Sequence, residues 1–318
     1  MRTARGSAKG RTRGQPHARG RVNTSFQVRD SKAGATPHMQ MEHIASVSRS
    51  SGLEQGGDAL KDSKVQEQYR VFVGEKLHKF WTEKQTKNGQ ENILILFRKL
   101  REGIFASKRS DAFAIEVYEI SLCLSALFDS PIQTSSILSH LLPELYTSAS
   151  IQPPISSVLI SLLHHLIAGY PSQKTYFEHL SCLSPNEAYA WISNLATSLR
   201  TLNYIRVEAL SRHDVYRHIL SVSKSSDETN DELVRLSQDA VHALVERLRS
   251  KARDKAWVVL RSAYRELSAS EETQTWMTKC LTAFNRADVR EWMNERCRDG
   301  HLRPKEGTVG RWIVCKVR

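Results

Sequence analysis

Cysteine is scarce in this 318-residue sequence, and the five present (Cys123, Cys182, Cys280, Cys297 and Cys315) lie far apart, in no CxxC pair and beside no histidine at ligand spacing. Neither a zinc site nor a disulfide framework is expected, and a reducing compartment, nucleus or cytoplasm, fits best. Long hydrophobic runs are also missing. The longest apolar stretch, Ile151 to Ile167, contains Gln152, two prolines, three serines and the pair His164-His165. It falls short of the roughly 20 residues a membrane span requires, so it reads as a buried helix with no membrane partner. The N-terminus has no apolar h-region, which argues against a secretory signal. The first 21 residues contain no Leu, Ile, Phe or Val, so a presequence of the mitochondrial kind would have no apolar face.

Catalytic signatures are missing as well. There is no phosphate loop, nucleophile elbow or HExxH. His164 and His165 are adjacent and so point to different faces of a helix, and His213-Asp214 and His218 miss the i, i+4 spacing of helical metal ligands. Core or surface histidines are the better account. Ser110-Asp111 and Asp227-Glu228 read as helix caps and loop charges rather than acid-base pairs. No enzyme, cofactor or metal is expected from these patterns.

Charge is present but uneven. Of the formal +12, eight units come from Arg2, Arg5, Lys9, Arg11, Arg13, Arg19, Arg21 and Arg29, with no acid among the first 29 residues. Residues 30–318 therefore share only +4. Residues 1 to about 60 are dominated by Gly, Ser, Arg, Thr and Gln, too polar to offset the entropy of ordering, and are expected to be a disordered basic tail. The Arg-Gly pairs at Arg5, Arg13 and Arg19 resemble flexible phosphate-binding arms, so RNA, through Arg5, Arg11, Arg13, Arg19 and Arg21, is one expected partner. Nuclear targeting, and a solvated tail or weak presequence, are the other readings.

Beyond the tail the pattern is helical. Val65, Tyr69, Phe72, Val73, Leu77, Phe80 and Trp81 form the stripe of an amphipathic helix. Further helices are expected over Ile93–Phe105, Ala112–Phe128, Ile132–Tyr146 after Ser130-Pro131, and Ile155–Ile167. Ser184-Pro185-Asn186-Glu187 reads as a capping box with Ser184 as the cap, opening a helix toward Leu202. Ile205–Val222 follows, then a helix capped by Asn230 with Leu233, Leu236, Val241, Leu244, Val245 and Leu248 on one face, then Ala256–Leu267. No strand alternation is read between residues 61 and 300. The expectation is an all-α stack over 61–268, without a fixed repeat period.

The last 50 residues differ. Ser270 caps a helix bearing Trp276, Met277, Cys280, Leu281 and Phe284, and a second helix, Ala287–Cys297, places Val289, Trp292 and Met293 together. The turn Glu306-Gly307-Thr308-Val309-Gly310 precedes a run in which Trp312, Val314 and Lys316 alternate with Ile313, Cys315 and Val317. Two helices followed by a β-hairpin, over 269–318, read as a winged-helix-like unit. Its second helix would expose Arg290, Glu291, Asn294, Glu295, Arg296 and Arg298, a mixed face rather than a basic one.

Two sets of residues then carry a resemblance. Phe97-Arg98-Lys99-Leu100-Arg101-Glu102-Gly103-Ile104, Ile115-Glu116-Val117-Tyr118-Glu119 and Leu141-Leu142-Pro143-Glu144-Leu145-Tyr146 resemble, in that order, the helical core of GANP-type mRNA-export scaffolds. Gln133-Thr134-Ser135-Ser136 stands where that branch carries an asparagine-glutamine-cysteine stretch. Val289-Arg290-Glu291-Trp292-Met293 with the hairpin ending in Trp312-Ile313-Val314 is similar to the short PCI proteins: signalosome subunit eight, the proteasome lid subunit of that size, and the k subunit of a translation initiation factor. The resemblance to the PCI superfamily implies a right-handed irregular helical-repeat stack ending in a winged helix. It further implies a non-enzymatic scaffold or adaptor whose partners are other PCI-type subunits. Trp276, Trp292 and Trp312 are the candidate partner-binding residues. In the competing reading, an RNA-associated adaptor in mRNA export or processing, the tail and the wing cations Arg303, Lys305, Arg311 and Lys316 contact phosphates.

Overall fold

Polar side chains set the helix starts. The computed structural model describes residues 41–47, 59–221, 231–282 and 286–316. In it, α1 (Ser63–Thr82) begins behind Asp62, whose carboxylate accepts from the Lys64 amide at 2.7 Å. α2 (Lys87–Ala106) begins behind Thr86 and α3 (Ala112–Leu127) behind Asp111, each side chain accepting a first-turn amide at 3.1 Å. α4 (Pro131–His140) has its proline in the first turn, where a missing N–H costs nothing.

The single helix expected over Ile132–Tyr146 is divided. α4 passes into a π-helical turn, Leu141–Leu145, and then into the short α5 (Tyr146–Ala149), which ends at Ser150 in the left-handed region with φ 55°. Pro143 has no amide N–H to donate, and the wider turn absorbs the missing bond. α6 (Ile155–Gly169) follows the double proline as the sequence suggests, and α7 (Lys174–Leu180) is an addition to the helices expected.

α8 (Glu187–Arg200) begins two residues later than a Ser184 cap would place it. Its cap is Asn186, whose Oδ1 accepts from the Tyr189 amide at 2.9 Å, so the Ser184–Glu187 box does not form. Asn caps as well as Ser, and it stands beyond the proline. The helix expected over Ile205–Val222 is two, α9 (Tyr204–Leu210) and α10 (His213–Ser221). The break falls at Ser211, whose carbonyl and hydroxyl both accept from Arg249.

The two helices expected on either side of residues 249–255 are one, the 33-residue α11 (Asp231–Ala263). Leu248, Ala252, Ala256 and Leu260 are all buried at intervals of four, so the apolar stripe runs on through the charged stretch. Residues 222–230, including the Asn230 cap and Asp227-Glu228, lie outside the described residues. At 1.5 Å per residue α11 is about 50 Å long. It packs along α3 and α6 and further on against α9. α6 is buried on almost every side, with Val158, Leu159, Ile160, Leu162, Leu163 and Leu166 in the core.

Within the stretch expected to form a disordered tail, Met41–Val47 lies against α1 and α2. Met41, Ile44 and Val47 touch the core, Glu42 pairs with Lys76 at 3.0 Å, and Lys99 Nζ donates to the Ile44 carbonyl at 3.0 Å. Three apolar residues at a spacing of three suffice to hold it. A short turn, Ala59–Lys61, then drives Leu60 into the core against Gly103, where a Cβ would stand 2.5 Å from the Leu60 carbonyl oxygen.

After α11 the chain forms β1 (Glu266–Ser268), α12 (Glu271–Cys280), α13 (Arg286–Arg298), β2 (Leu302–Pro304) and β3 (Arg311–Val314). The strands make an antiparallel sheet in the order β1-β3-β2. β1 corrects the expectation of no strand before residue 300. Three residues are too short to alternate visibly, and the strand forms because β3 offers it a partner edge. Helix, strand, two helices and a hairpin make a winged-helix unit at the end of an all-α stack.

Candidate interaction surface of the winged-helix unit

The unit is joined to the stack through α11. Arg249, its side chain 1% exposed, donates to the Ser211 carbonyl and hydroxyl at 3.3 and 3.0 Å and to the Thr282 carbonyl at 2.8 Å, with Glu246 at 3.5 Å. Burial lowers its pKa and Glu246 works against that, so the charge is kept by what surrounds it. Thr282 Oγ1 returns a bond to the Arg249 carbonyl at 3.1 Å, and Arg253 Nε donates to the Leu281 carbonyl at 2.9 Å. Further along α11, Trp257 meets Trp292 edge-on at 4.8 Å and donates to His301 Nδ1 at 3.3 Å. Arg261 donates to the Cys315 carbonyl.

The sheet turns one face inward. Leu267, Trp312 and Pro304 stand in one cross-strand row, and Leu302 and Val314, both buried, in the next. Outward face Glu266, Ile313 and Arg303, with Ser268 and Arg311 beside them. The alternation read for the last strand is therefore the one the sheet uses. Gly307 and Gly310 both hold positive φ in the turn between the strands, a conformation glycine adopts without strain.

The sequence-derived residues fall into distinct places. Arg303 and Arg311 are exposed on the outer face. Lys305 is bonded to Glu266 at 2.7 Å, which with Arg311 holds that carboxyl below its usual range. Lys316 Nζ donates to the Ser262 carbonyl at 2.7 Å. Two of the four wing cations thus have partners within the chain. Trp276 is half-buried, edge-on to Tyr264 at 5.4 Å, beside a cavity of about 320 Å³ that Arg311 also lines. Trp312 is half-buried and faces inward. Trp292 is only 8% exposed and belongs to the core, which takes it out of the surface set. Arg5, Arg11, Arg13, Arg19 and Arg21 lie outside the described residues.

Among the α13 residues whose side chains are described, the exposed ones are Ala287, Arg290, Glu291, Asn294, Glu295 and Arg298, two cations balanced by two carboxylates. Arg296, expected on that face, is only partly exposed: it lies over the Trp292 ring at 5.3 Å and pairs with Asp299 at 3.3 Å. A balanced face of this kind does not favour a phosphate backbone.

Outside the unit, a cavity of about 680 Å³ opens between α1, α3 and the start of α11. Glu119 lines it and accepts from Tyr146 at 2.6 Å; burial raises the Glu119 carboxyl, and the Tyr146 hydroxyl acts in the opposite sense. His164 is buried and bonded to Ser135 at 2.8 Å, while His165 stacks on His179 at 4.2 Å. His213 meets Tyr216 and His242 edge-on, and Tyr216 bonds His242. Among the described residues, no group of three or more His, Cys, Asp or Glu is placed to hold a metal ion, and no helix is long and apolar enough to cross a membrane.

Sequence reading missed the Arg249 joint. The available signal was positional: Arg249 lies four residues after Val245 on the apolar face of α11. No known family model matches the chain, and no curated protein matches its sequence.

Proposed function

We propose that the chain is a non-enzymatic scaffold or adaptor subunit of a multiprotein complex, of the proteasome-lid, signalosome or translation-initiation-factor type, acting in the nucleus or cytoplasm by holding partners in a fixed geometry. The supporting observation is α11, one helix that packs on the stack along its first half and builds the winged unit along its second, pinned between them by Arg249. A helix shared by two units, with a buried arginine tying both to it, keeps their surfaces at a set angle and distance. The mixed charge of the exposed α13 residues from Ala287 to Arg298 agrees with a protein partner at the winged unit.

A second reading, an RNA-associated adaptor in mRNA export or processing, is favoured by Arg303 and Arg311, exposed together on the outer sheet face. Affinity purification of the tagged full chain, with and without ribonuclease, separates the two. Recovery of a stoichiometric set of lid, signalosome or initiation-factor subunits that survives ribonuclease is the expected result. Recovery of export or splicing factors that ribonuclease abolishes would overturn it in favour of the second reading.

A further inference from the structure

Arg101 on α2 is 7% exposed, and its Nε is buried without a hydrogen-bond partner. Among the described residues none accepts a hydrogen bond from its guanidinium or pairs with it as an ion. Glu102, whose charge acts on Arg101, is engaged, accepting from Ser46 and pairing with Arg98 at 3.6 Å, and Glu144, beside the neighbouring His140, holds its Nδ1 at 2.7 Å. The guanidinium carbon lies 5.8 Å from the centre of the Tyr118 ring. His140 stands 5.2 Å from Tyr118 and 5.1 Å from Phe105, which is one turn along α2 from Arg101 and 62% exposed. Burial lowers the Arg101 pKa to about 10, so it remains charged at neutral pH.

A buried, unpaired cation weakens the fold that contains it, and an apolar side chain of the same length would fill the space without that penalty. The planar fork of arginine matches a carboxylate through two parallel hydrogen bonds. Glu102, the next residue, disfavours a doubly charged phosphate, and on the same helix Arg98 and Lys99 are already held by Glu102 and the Ile44 carbonyl. The exposed ring of Phe105 invites an apolar neighbour instead.

We propose that Arg101, walled by Tyr118, His140 and Phe105, receives the carboxylate of an Asp or Glu side chain of a partner protein, an adjacent apolar side chain of that partner covering Phe105. This names the chemistry of one contact within the scaffold reading and rests on that reading.

The test uses the full chain and three probes: the peptide N-acetyl-Leu-Glu-Leu-amide, its Gln counterpart, and inorganic phosphate. The Arg101 side-chain Nε–H resonance and the melting temperature are followed. The Glu peptide is expected to shift the resonance and to bind at least about tenfold more tightly than the Gln peptide, a difference that Arg101→Met removes. Without any probe, Arg101→Met is expected to melt at the wild-type temperature or above. Equal responses to the Glu and Gln peptides, or a phosphate response as strong as that to Glu, would overturn the proposal. So would an Arg101→Met chain that melts several degrees lower or fails to fold, because the guanidinium would then be structural. The two readings fail separately. A wild-type chain purified with no partner overturns the scaffold whatever the peptides do, whereas partner recovery with indifferent peptides overturns only this contact.

Discussion

Replacing Arg249 by methionine tests whether the joint between stack and winged unit is held by hydrogen bonds or by packing alone. Methionine retains most of the volume, so little cavity is created. What is lost includes two bonds to Ser211 and one to Thr282, all from a charged donor, and the ion pair with Glu246. Such bonds contribute roughly 1.5–3 kcal/mol each, and a buried carbonyl left without a donor costs roughly 1–3 kcal/mol. Thr282 keeps a longer bond from Arg253 at 3.3 Å, whereas the Ser211 carbonyl keeps none from Arg249. Replacing a whole buried ion pair by apolar residues is often harmless, but here two of the three acceptors, the Ser211 and Thr282 carbonyls, are backbone atoms that no substitution removes. The expected loss is about 3–5 kcal/mol. Urea unfolding followed by far-UV circular dichroism measures it. Tryptophan fluorescence adds the location, since four of the six tryptophans, Trp257, Trp276, Trp292 and Trp312, belong to the winged end. In the wild type the two signals should change together; in Arg249→Met the fluorescence change should come first. A variant within 1 kcal/mol of wild type, with coincident transitions, would refute the hydrogen-bonded joint.

Gly103→Ala sets a methyl group against the Leu60 carbonyl oxygen at 2.5 Å, so the Ala59–Lys61 turn must shift; thermal unfolding should show a loss of roughly 1–3 kcal/mol, and an unchanged midpoint would contradict the close approach. His165 is pushed to about 4 by burial and then by His179 and His164, so folding favours its neutral form. Its contribution is complete above the unfolded value near 6.5 and is lost as pH falls from there toward 4. After discounting for its partial exposure, about 1–2 kcal/mol should disappear across that window, and His165→Leu should remove this part of the pH dependence in denaturation measured from pH 7 to 4.

Helix content was legible because the apolar residues of α1, α3 and α6 recur at helical intervals and because Asp111, Pro131 and Ser270 are strong start signals. The final strand was legible from its alternation. What escaped were features decided by distant partners. The continuity of α11 was hidden because Arg249 and its charged neighbours look like a solvated break, and their burial depends on Ser211 and Thr282, which lie 38 and 33 positions away. β1 has too few residues to announce itself and exists through pairing with Arg311–Ile313. Trp292 stood as a candidate partner-binding residue by its type, and its burial against the Trp257 ring depends on a residue 35 positions away. For the candidate surface, residue types were readable but their availability was not, since Lys305 and Lys316 are occupied by Glu266 and Ser262.

The unbroken α11 also constrains how the gene can change length. Each residue of an α-helix adds about 100° of rotation and 1.5 Å of advance. Inserting or deleting one residue between Leu248 and Trp257 would swing the entire winged end by just over a quarter of a revolution relative to the stack and uncouple Arg249 from either Ser211 or Thr282. Seven residues would restore the phase to within about 20° while moving the end outward by roughly 10 Å. Length variation in this helix should therefore come in steps that restore the phase, such as about seven or eleven residues, so that α11 serves as an angular gauge between the two surfaces.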